Sequence, residues 1–134
     1  MATPDIRKTL KHALADLSIG QFELNRPSDH SVTMTVCMTV RQAMHLFLRA
    51  YLQSQSLPAD ANKSLVSLLK QCQKADKQFE AVSLARVSCN DLNQRECESE
   101  YCLTAENVTA CMDVANKIKS LVLNKLNISE SEFA

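Results

Sequence analysis

Three long polar side chains recur at one-turn intervals within an otherwise apolar stretch of the chain. Arg41, His45 and Arg49 are four residues apart, so on a helix they lie along one face. A guanidinium group presents a fork of N–H donors that matches phosphate oxygens, and this strip therefore predicts an anion or phosphate site. The alternative is structural: together with Gln42 and Gln53, these residues form the one solvated or subunit-facing strip of a buried helix.

A second group of cations follows along the chain. Lys63, Lys70, Lys74 and Lys77 are separated by seven, four and three residues, so they share a face if one helix continues that far. Lysine rows are usually solvated surface, and this basic face is the weaker candidate for an anionic ligand. Acidic residues are concentrated later in the chain, and such separation of charge favours self-association or a charged partner. This acidic cluster comprises Asp91, Glu96, Glu98, Glu100 and Glu106.

The remaining polar residues predict neither a metal site nor a cofactor. Six cysteines occur, but none forms the paired spacing of a zinc site, and no histidine follows His45. Nothing in the spacing brings a histidine beside a cysteine as the base for a nucleophile. The single glycine excludes a glycine-rich phosphate loop. Free cysteine behaves as a small hydrophobe at helical apolar positions, which applies to Cys37, Cys72 and Cys111.

The composition limits both the fold and the class of protein. A chain of 134 residues, 46% of them hydrophobic, predicts one domain with a substantial core. One glycine and three prolines supply too few tight turns for an all-β fold, so we expect an all-α protein. The 15 basic and 15 acidic residues balance, and any binding to nucleic acid must therefore be local. The absence of a long apolar run predicts a cytoplasmic protein that does not enter membranes.

Apolar periodicity predicts the helices that position these groups. The first spans residues 4–18, with Ile6, Leu10 and Leu17 on its buried side, and Gly20 is expected to disrupt or end it. Residues 25–29 then form a connector.

The pattern over residues 32–40 is ambiguous, because apolar and polar side chains alternate there as in a strand. The only plausible pairing partner is residues 21–24, and an isolated two-stranded hairpin is marginal in water. From Val36 onward, Val40, Ala43 and Phe47 fall at helical spacing. We therefore predict one long helix over residues 30–54, apolar round most of its circumference and central to the fold.

Three helices are predicted to follow the central one. Pro58 suits the first turn of the third helix, which is expected to end near Lys74. Its predicted buried side chains are Leu65, Leu68, Leu69 and Cys72. A fourth helix is expected from Phe79, with Val82, Ala85, Cys89 and Leu92 on its apolar side.

The last predicted helix opens with Thr104 as its cap, and Glu106 is placed favourably against the helix dipole. Its predicted core stripe is Val108, Cys111, Ala115, Ile118 and Val122. Residues 127–134 are expected to form a frayed tail, so the predicted core of the single domain spans residues 4–126.

Three segments together resemble the HEPN domain family. Residues 42–52, QAMHLFLRAYL, resemble the Gln-Ala-x-Glu-x-x-x-Lys-Ala helix common in HEPN domains. Residues 63–69, KSLVSLL, look like the family's next short helix, and residues 98–106, ESEYCLTAE, resemble its Ala-Arg-Tyr-Pro segment and final helix. The order and spacing of these pieces cover residues 30–125. The resemblance implies an up-and-down bundle of four to five helices that forms a homodimer.

The family includes RNA-cleaving toxins, partners of nucleotidyltransferases and inactive binding modules. Its active members are marked by an arginine followed four to six residues later by histidine near the later helices. Here Glu100 stands where that arginine is expected, while His45 and Arg49 replace the family's glutamate and lysine. Arg7 and His12 have the spacing but lie in the first helix. The resemblance therefore implies a member without ribonuclease activity.

We accordingly expect a non-catalytic HEPN-like module that binds a nucleotide, RNA or a protein partner. Arg41, His45 and Arg49 are the candidate anion site, with Arg95 as a further candidate. One alternative is a metal-independent RNase toxin whose cleft combines Arg95, Arg41 and His45 across a dimer. The other is a purely structural assembly domain, whose melting temperature would depend on protein concentration.

Overall fold

In a computed structural model of the protein, residues 4–24, 30–60, 62–82 and 105–133 are described. Four α-helices lie in these ranges: α1 (Pro4–Leu24), α2 (His30–Ser54), α3 (Leu65–Ala75) and α4 (Ala105–Leu126). Two 3-10 helices accompany them, η1 (Lys77–Ala81) and η2 (Glu130–Phe133). The described ranges contain no strand. The predicted all-α class is confirmed for this part of the chain.

Helix α2 is the centre of the fold. It packs most extensively against α1, then against α4 and α3, whereas α1 and α4 touch only slightly. Its described side chains are buried round most of the helix, from Val36 to Leu52. The helix predicted over residues 30–54 is thus confirmed, and the strand alternative for residues 32–40 is wrong. Sequestering so many apolar side chains is the main source of stability for such a helix.

Helix α1 does not end at Gly20, and that expectation is wrong. The helix continues to Leu24, four residues beyond the glycine. A Cβ atom at Gly20 would lie 2.7 Å from Cγ2 of Val40 on α2. Glycine in a helix costs about 1 kcal/mol relative to alanine, but here the missing side chain lets two helices approach closely. The glycine is therefore a packing residue.

Helix α3 begins at Leu65, seven residues after Pro58, so the predicted start is wrong. Ser64 is its N-cap, and the Ser64 hydroxyl accepts a hydrogen bond from the Ser67 backbone N–H at 3.1 Å. The loop before α3 contains a turn at Asp60, whose carboxylate accepts a hydrogen bond from the backbone N–H of Asn62 at 2.8 Å. These local hydrogen bonds hold the chain outside a helix until Ser64. The four predicted core residues of α3 are all buried.

The predicted fourth helix is interrupted at its start. Asp76 has extended φ and ψ angles of −152° and 120°, which end α3, and its carboxylate caps η1 by accepting from the Gln78 backbone N–H at 2.9 Å. Val82 is again extended, so no helix runs on from Phe79 through it. The predicted positions Ala85, Cys89 and Leu92 lie outside the described residues.

Phe79 nevertheless belongs to the core, as expected for an apolar residue at this position. It is fully buried in η1, and its ring lies 4.6 Å from that of Tyr51, centroid to centroid, at a tilt of 50°. Two lysines of α4 hold this segment from the other side: Lys117 donates to the carbonyl oxygen of Ala81 at 2.7 Å, and Lys125 pairs with Asp76 at 2.7 Å. A short segment with one buried ring is thereby fixed between α2 and α4.

The core stripe predicted for α4 is confirmed where it is described. Cys111, Ala115, Ile118 and Val122 are buried, whereas Thr104 and the side chains of Glu106 and Val108 lie outside the described part.

The end of the chain is folded, so the expected frayed tail is wrong for residues 127–133. Asn127 adopts a positive φ of 55°, and the Ile128 backbone N–H donates to the Leu123 carbonyl oxygen at 3.0 Å, the Schellman pattern of a helix C-terminus. Ile128 is consequently buried against the core. Arg7 of α1 pairs with Glu132 at 3.1 Å. The core therefore extends past residue 126.

Candidate functional site

The predicted anion strip lies on one face of α2. Arg41, His45 and Arg49 are all half-buried and follow each other at one-turn intervals. The Nε2 atom of His45 lies 2.8 Å from the carbonyl oxygen of Lys63, in the loop before α3. A carbonyl oxygen only accepts, so Nε2 carries the hydrogen and Nδ1 is the atom that gains or loses a proton.

The surroundings of His45 favour its neutral form. Burial lowers the pKa of His45 from its ordinary value of 6.5, the hydrogen bond to Lys63 opposes this shift, and the charges of Arg49 and Arg41 lower the pKa further. Desolvation and neighbouring positive charge both penalise an imidazolium. His45 is therefore neutral at neutral pH, and the positive charge of the strip comes from its two guanidinium groups.

Arg49 also contacts the loop between α2 and α3. Its Nε donates to the carbonyl oxygen of Ala59 at 3.4 Å, a long hydrogen bond. A guanidinium group has five N–H donors, so this bond leaves most of the Arg49 group available for another acceptor. His45 and Arg49 thus hold two points of one loop, at Ala59 and Lys63. The structural interpretation of the strip therefore applies to these two residues, and an additional anion-binding role is compatible with it.

The predicted basic face is exposed. Lys63, Lys70, Lys74 and Lys77 all reach solvent, and among the residues that the structure describes none of their ammonium groups forms an ion pair. Helix α3 contains no acidic residue. Only Lys70 and Lys74 share a helix face, because the chain leaves the helix at Asp76 before it reaches Lys77. The condition for a single lysine row, a helix that continues to Lys77, is therefore not met, and the four lysines are exposed.

The strip and the basic face meet at Lys63. The same residue supplies the carbonyl oxygen bound by His45 and the first side chain of the basic face. We call the combined region the basic surface; it comprises Arg41, His45, Arg49, Lys63, Lys70, Lys74 and Lys77. Arg95 lies outside the described residues, as do Asp91, Glu96, Glu98 and Glu100.

The cysteine that contacts α2 is not chemically activated. Cys72 of α3 is buried, with its sulfur 3.7 Å from the Leu48 carbonyl oxygen, and burial raises the pKa of the thiol to about 12. A nucleophilic cysteine needs the opposite shift. In the described parts of the chain, no three His, Cys, Asp or Glu side chains are grouped so that they could hold a metal ion. No helix in these parts is long and apolar enough to span a membrane.

Sequence reasoning missed Asp76 as an organising residue. Its carboxylate both caps η1 and pairs with Lys125, and these contacts lower the pKa of Asp76, with the Lys125 hydrogen bond as the largest cause. An aspartate two residues before Gln78 fits a cap, which is a local signal. Its partner 49 positions later leaves no such signal.

Comparison with known proteins adds no relative. No protein-family model, curated protein or solved structure matches the chain. The HEPN resemblance therefore stays a prediction made from motifs and their spacing.

Proposed function

We propose that this protein is a non-catalytic, HEPN-like helical module that binds a nucleotide or RNA through the basic surface. The proposal includes a place in a toxin and antitoxin pair or beside a nucleotidyltransferase, as the family resemblance implies. The observation that supports it is the hydrogen bond from His45 to the Lys63 carbonyl oxygen. This contact fixes Lys63, the first residue of the basic face, beside the predicted anion strip on α2.

The charges of this surface suit a phosphate ligand. Arg49 retains most of its N–H donors, and the neighbouring lysines are exposed without ion pairs in the described part of the chain. Charge-assisted hydrogen bonds from such groups to phosphate are roughly twice as strong as neutral ones. Since the chain as a whole has no net charge, attraction for an anion must come from local groups of cations, and the basic surface is one such group.

The same geometry supports a binding role rather than a catalytic one. His45 uses one ring nitrogen to hold the loop, and its ring is half-buried between two arginines of the same helix. Glu100 replaces the arginine that marks active HEPN members. Incubating the purified protein with RNA in the presence of chelator tests the alternative. Cleavage lost in a His45→Ala variant would contradict the proposal, and cleavage that persists in that variant indicates a contaminant.

Binding by the strip is tested with a double variant. Labelled RNA and ATP are titrated against wild type and Arg41→Ala/Arg49→Ala, with folding followed by circular dichroism. Loss of two charge-assisted contacts of about 1.5–3 kcal/mol each predicts at least a tenfold weaker complex. Lys8→Ala/Lys11→Ala removes two exposed cations from α1 and is the matched control. Equal binding by wild type and the arginine variant would contradict the assignment of the strip.

One observation favours homodimerisation as a second function. Ile19 and Phe22 lie one turn apart on α1 with exposed fractions of 51% and 65%. Large apolar side chains on a surface often mark a contact with another chain. A Phe22→Ala variant tests this role. If the wild-type melting temperature rises with protein concentration and that of the variant does not, the face mediates association.

A further inference from the structure

The lysines of the basic surface are arranged as a series along the chain. Lys70 and Lys74 are one helical turn, or about 5–6 Å, apart on the solvent side of α3. Lys63 precedes the Ser64 cap at one end of the helix, and Lys77 opens η1 beyond its other end. All four side chains are exposed. Their positive charges are therefore spread along α3 and just beyond both of its ends.

A single nucleotide and a polynucleotide make different demands on such a surface. A mononucleotide concentrates its phosphates at one end, so it requires donors that converge on one point. Lysines spread over more than a helix length converge on no single point. A polynucleotide repeats one negative charge along its backbone, and separate lysines can each neutralise a different phosphate. Charge complementarity along the series therefore favours the polynucleotide.

The described aromatic side chains provide no platform for bases near these lysines. Phe47, Tyr51 and Phe79 are buried, with exposed fractions of 0%, 3% and 0%. Phe22 is exposed, but it lies on α1, on the outer side of the helix. Proteins that stack bases need exposed aromatic rings along the path of the strand. Contacts from lysine to phosphate position a strand but read no sequence.

We infer that Lys63, Lys70, Lys74 and Lys77 bind successive phosphates along a nucleic acid backbone, without discrimination among bases. This inference rests on the proposed function and specifies its ligand as a phosphodiester chain. Because a phosphodiester backbone is common to RNA and DNA, the chemistry that the lysines recognise is the backbone itself. Paired tests with oligo-uridine and oligo-thymidine distinguish the two sources.

The dependence of affinity on salt reports the number of phosphates that the protein neutralises. Each phosphate contact on a single strand contributes about 0.7 to the magnitude of the slope of log affinity against log salt, so the four lysines contribute roughly −2.8 to that slope. Lys70→Ala/Lys74→Ala removes two contacts and should reduce the magnitude of the slope by about 1.4. Both lysines are exposed on α3, so the variant should retain its fold. The matched control, Lys8→Ala/Lys11→Ala, should keep the wild-type slope.

The experiment uses fluorescence anisotropy with labelled oligonucleotides of about twelve residues, a length within the usual site sizes of roughly 4–16 nucleotides. The affinities of oligo-uridine and oligo-adenosine are compared with each other, and uridine monophosphate is added separately as a competitor. Similar affinity for the two oligomers, weak competition by the monophosphate and a smaller slope for the α3 variant are expected. A strong preference for one base, or equal competition by the monophosphate, would overturn the inference.

Two further outcomes separate this inference from the proposed function. If Arg41→Ala/Arg49→Ala abolishes binding while the α3 variant keeps the wild-type slope, the inference is wrong and the anion strip stands. If wild type binds neither oligonucleotides nor nucleotides, both are wrong. A final binding test uses polyglutamate. If the protein binds polyglutamate but not oligonucleotides, the surface binds an acidic protein partner and the inference is overturned.

Discussion

The close contact at Gly20 allows a sharp test of how α1 packs on α2. In an exposed helix, Gly20→Ala would stabilise the protein by about 0.8–1 kcal/mol through helix propensity alone. Here the new Cβ would lie 2.7 Å from Cγ2 of Val40, which is fully buried and β-branched and therefore has essentially one allowed rotamer in a helix. The Cε atom of Met112, at 3.4 Å, belongs to a flexible side chain and can shift.

Overpacking of a tight core typically costs 1–3 kcal/mol, which exceeds the gain in propensity. We therefore expect Gly20→Ala to lower the free energy of unfolding by about 1 kcal/mol, because the clash outweighs the propensity term. Urea denaturation followed by circular dichroism measures this change. Ala15→Gly, at an exposed position of the same helix, is the matched control and reports the propensity term without the clash.

A double-mutant cycle isolates the clash itself. Val40→Ala removes the atom that the new Cβ would meet, so the double variant with Gly20→Ala should be more stable than the sum of the two single effects predicts. Residues in direct contact show coupling of about 0.5–3 kcal/mol. Effects that add within about 0.5 kcal/mol, or a Gly20→Ala variant more stable than wild type, would refute the reasoning.

Two further predictions concern the loop contact and the core. Because the pKa of His45 is lowered in the folded state, the unfolded chain binds a proton at this residue more readily. The free energy of unfolding is therefore unaffected by protonation of this residue above about pH 6.5, the ordinary pKa, and decreases as the pH falls below that value. His45→Gln should therefore lose less unfolding free energy than wild type on acidification in urea titrations, and an identical loss in both proteins would contradict this. Phe79→Ala should cost about 3–5 kcal/mol, since the ring is fully buried against Tyr51. The exposed Phe22→Ala should change stability by less than about 0.5 kcal/mol, so equal effects of the two substitutions would exclude the assigned burial.

The fold class and the central helix could be predicted from sequence because they depend on many residues at once. The alternation over residues 32–40 suggested a strand, but no segment was available to pair with it. Continuation of the apolar pattern to residue 52 requires a helix that is buried round most of its circumference, and α2 is such a helix. A long periodic signal is robust because one misleading stretch changes it little.

The wrong expectations each came from reading one residue without the contacts that surround it in the fold. Gly20 was expected to break a helix, but its position against Val40 makes the absence of a side chain useful. Pro58 is suited to a first helical turn, but Asp60 and Ser64 fix a turn and a cap after it. The chain end was expected to fray, but Ile128 is buried. In each case a packing or hydrogen-bond partner overrides the local propensity.

Sequence spacing found the side chains of the candidate site but not their principal partners. Arg41, His45 and Arg49 are separated by whole turns, and a helix necessarily places them on one face. The loop partners of Arg49 and His45 are the carbonyl oxygens of Ala59 and Lys63, and every residue has such an oxygen whatever its type. Main-chain acceptors therefore have no sequence signature, and their contribution to the site becomes visible only in the folded structure.

Some residues of the basic surface hold the loop before α3, and others make no ion pair in the described part of the chain. This difference determines which substitutions can test binding without also changing stability. His45 and Arg49 hold the loop before α3, so substituting either one changes stability together with any contact to a ligand. Lys70 and Lys74 are exposed and make no ion pair in the described part of the chain, so substituting them alters charge with little effect on the fold. A loss of affinity in the lysine variant at unchanged stability therefore bears on function alone. The same loss in the arginine variant bears on function only after its unfolding free energy has been matched to that of wild type.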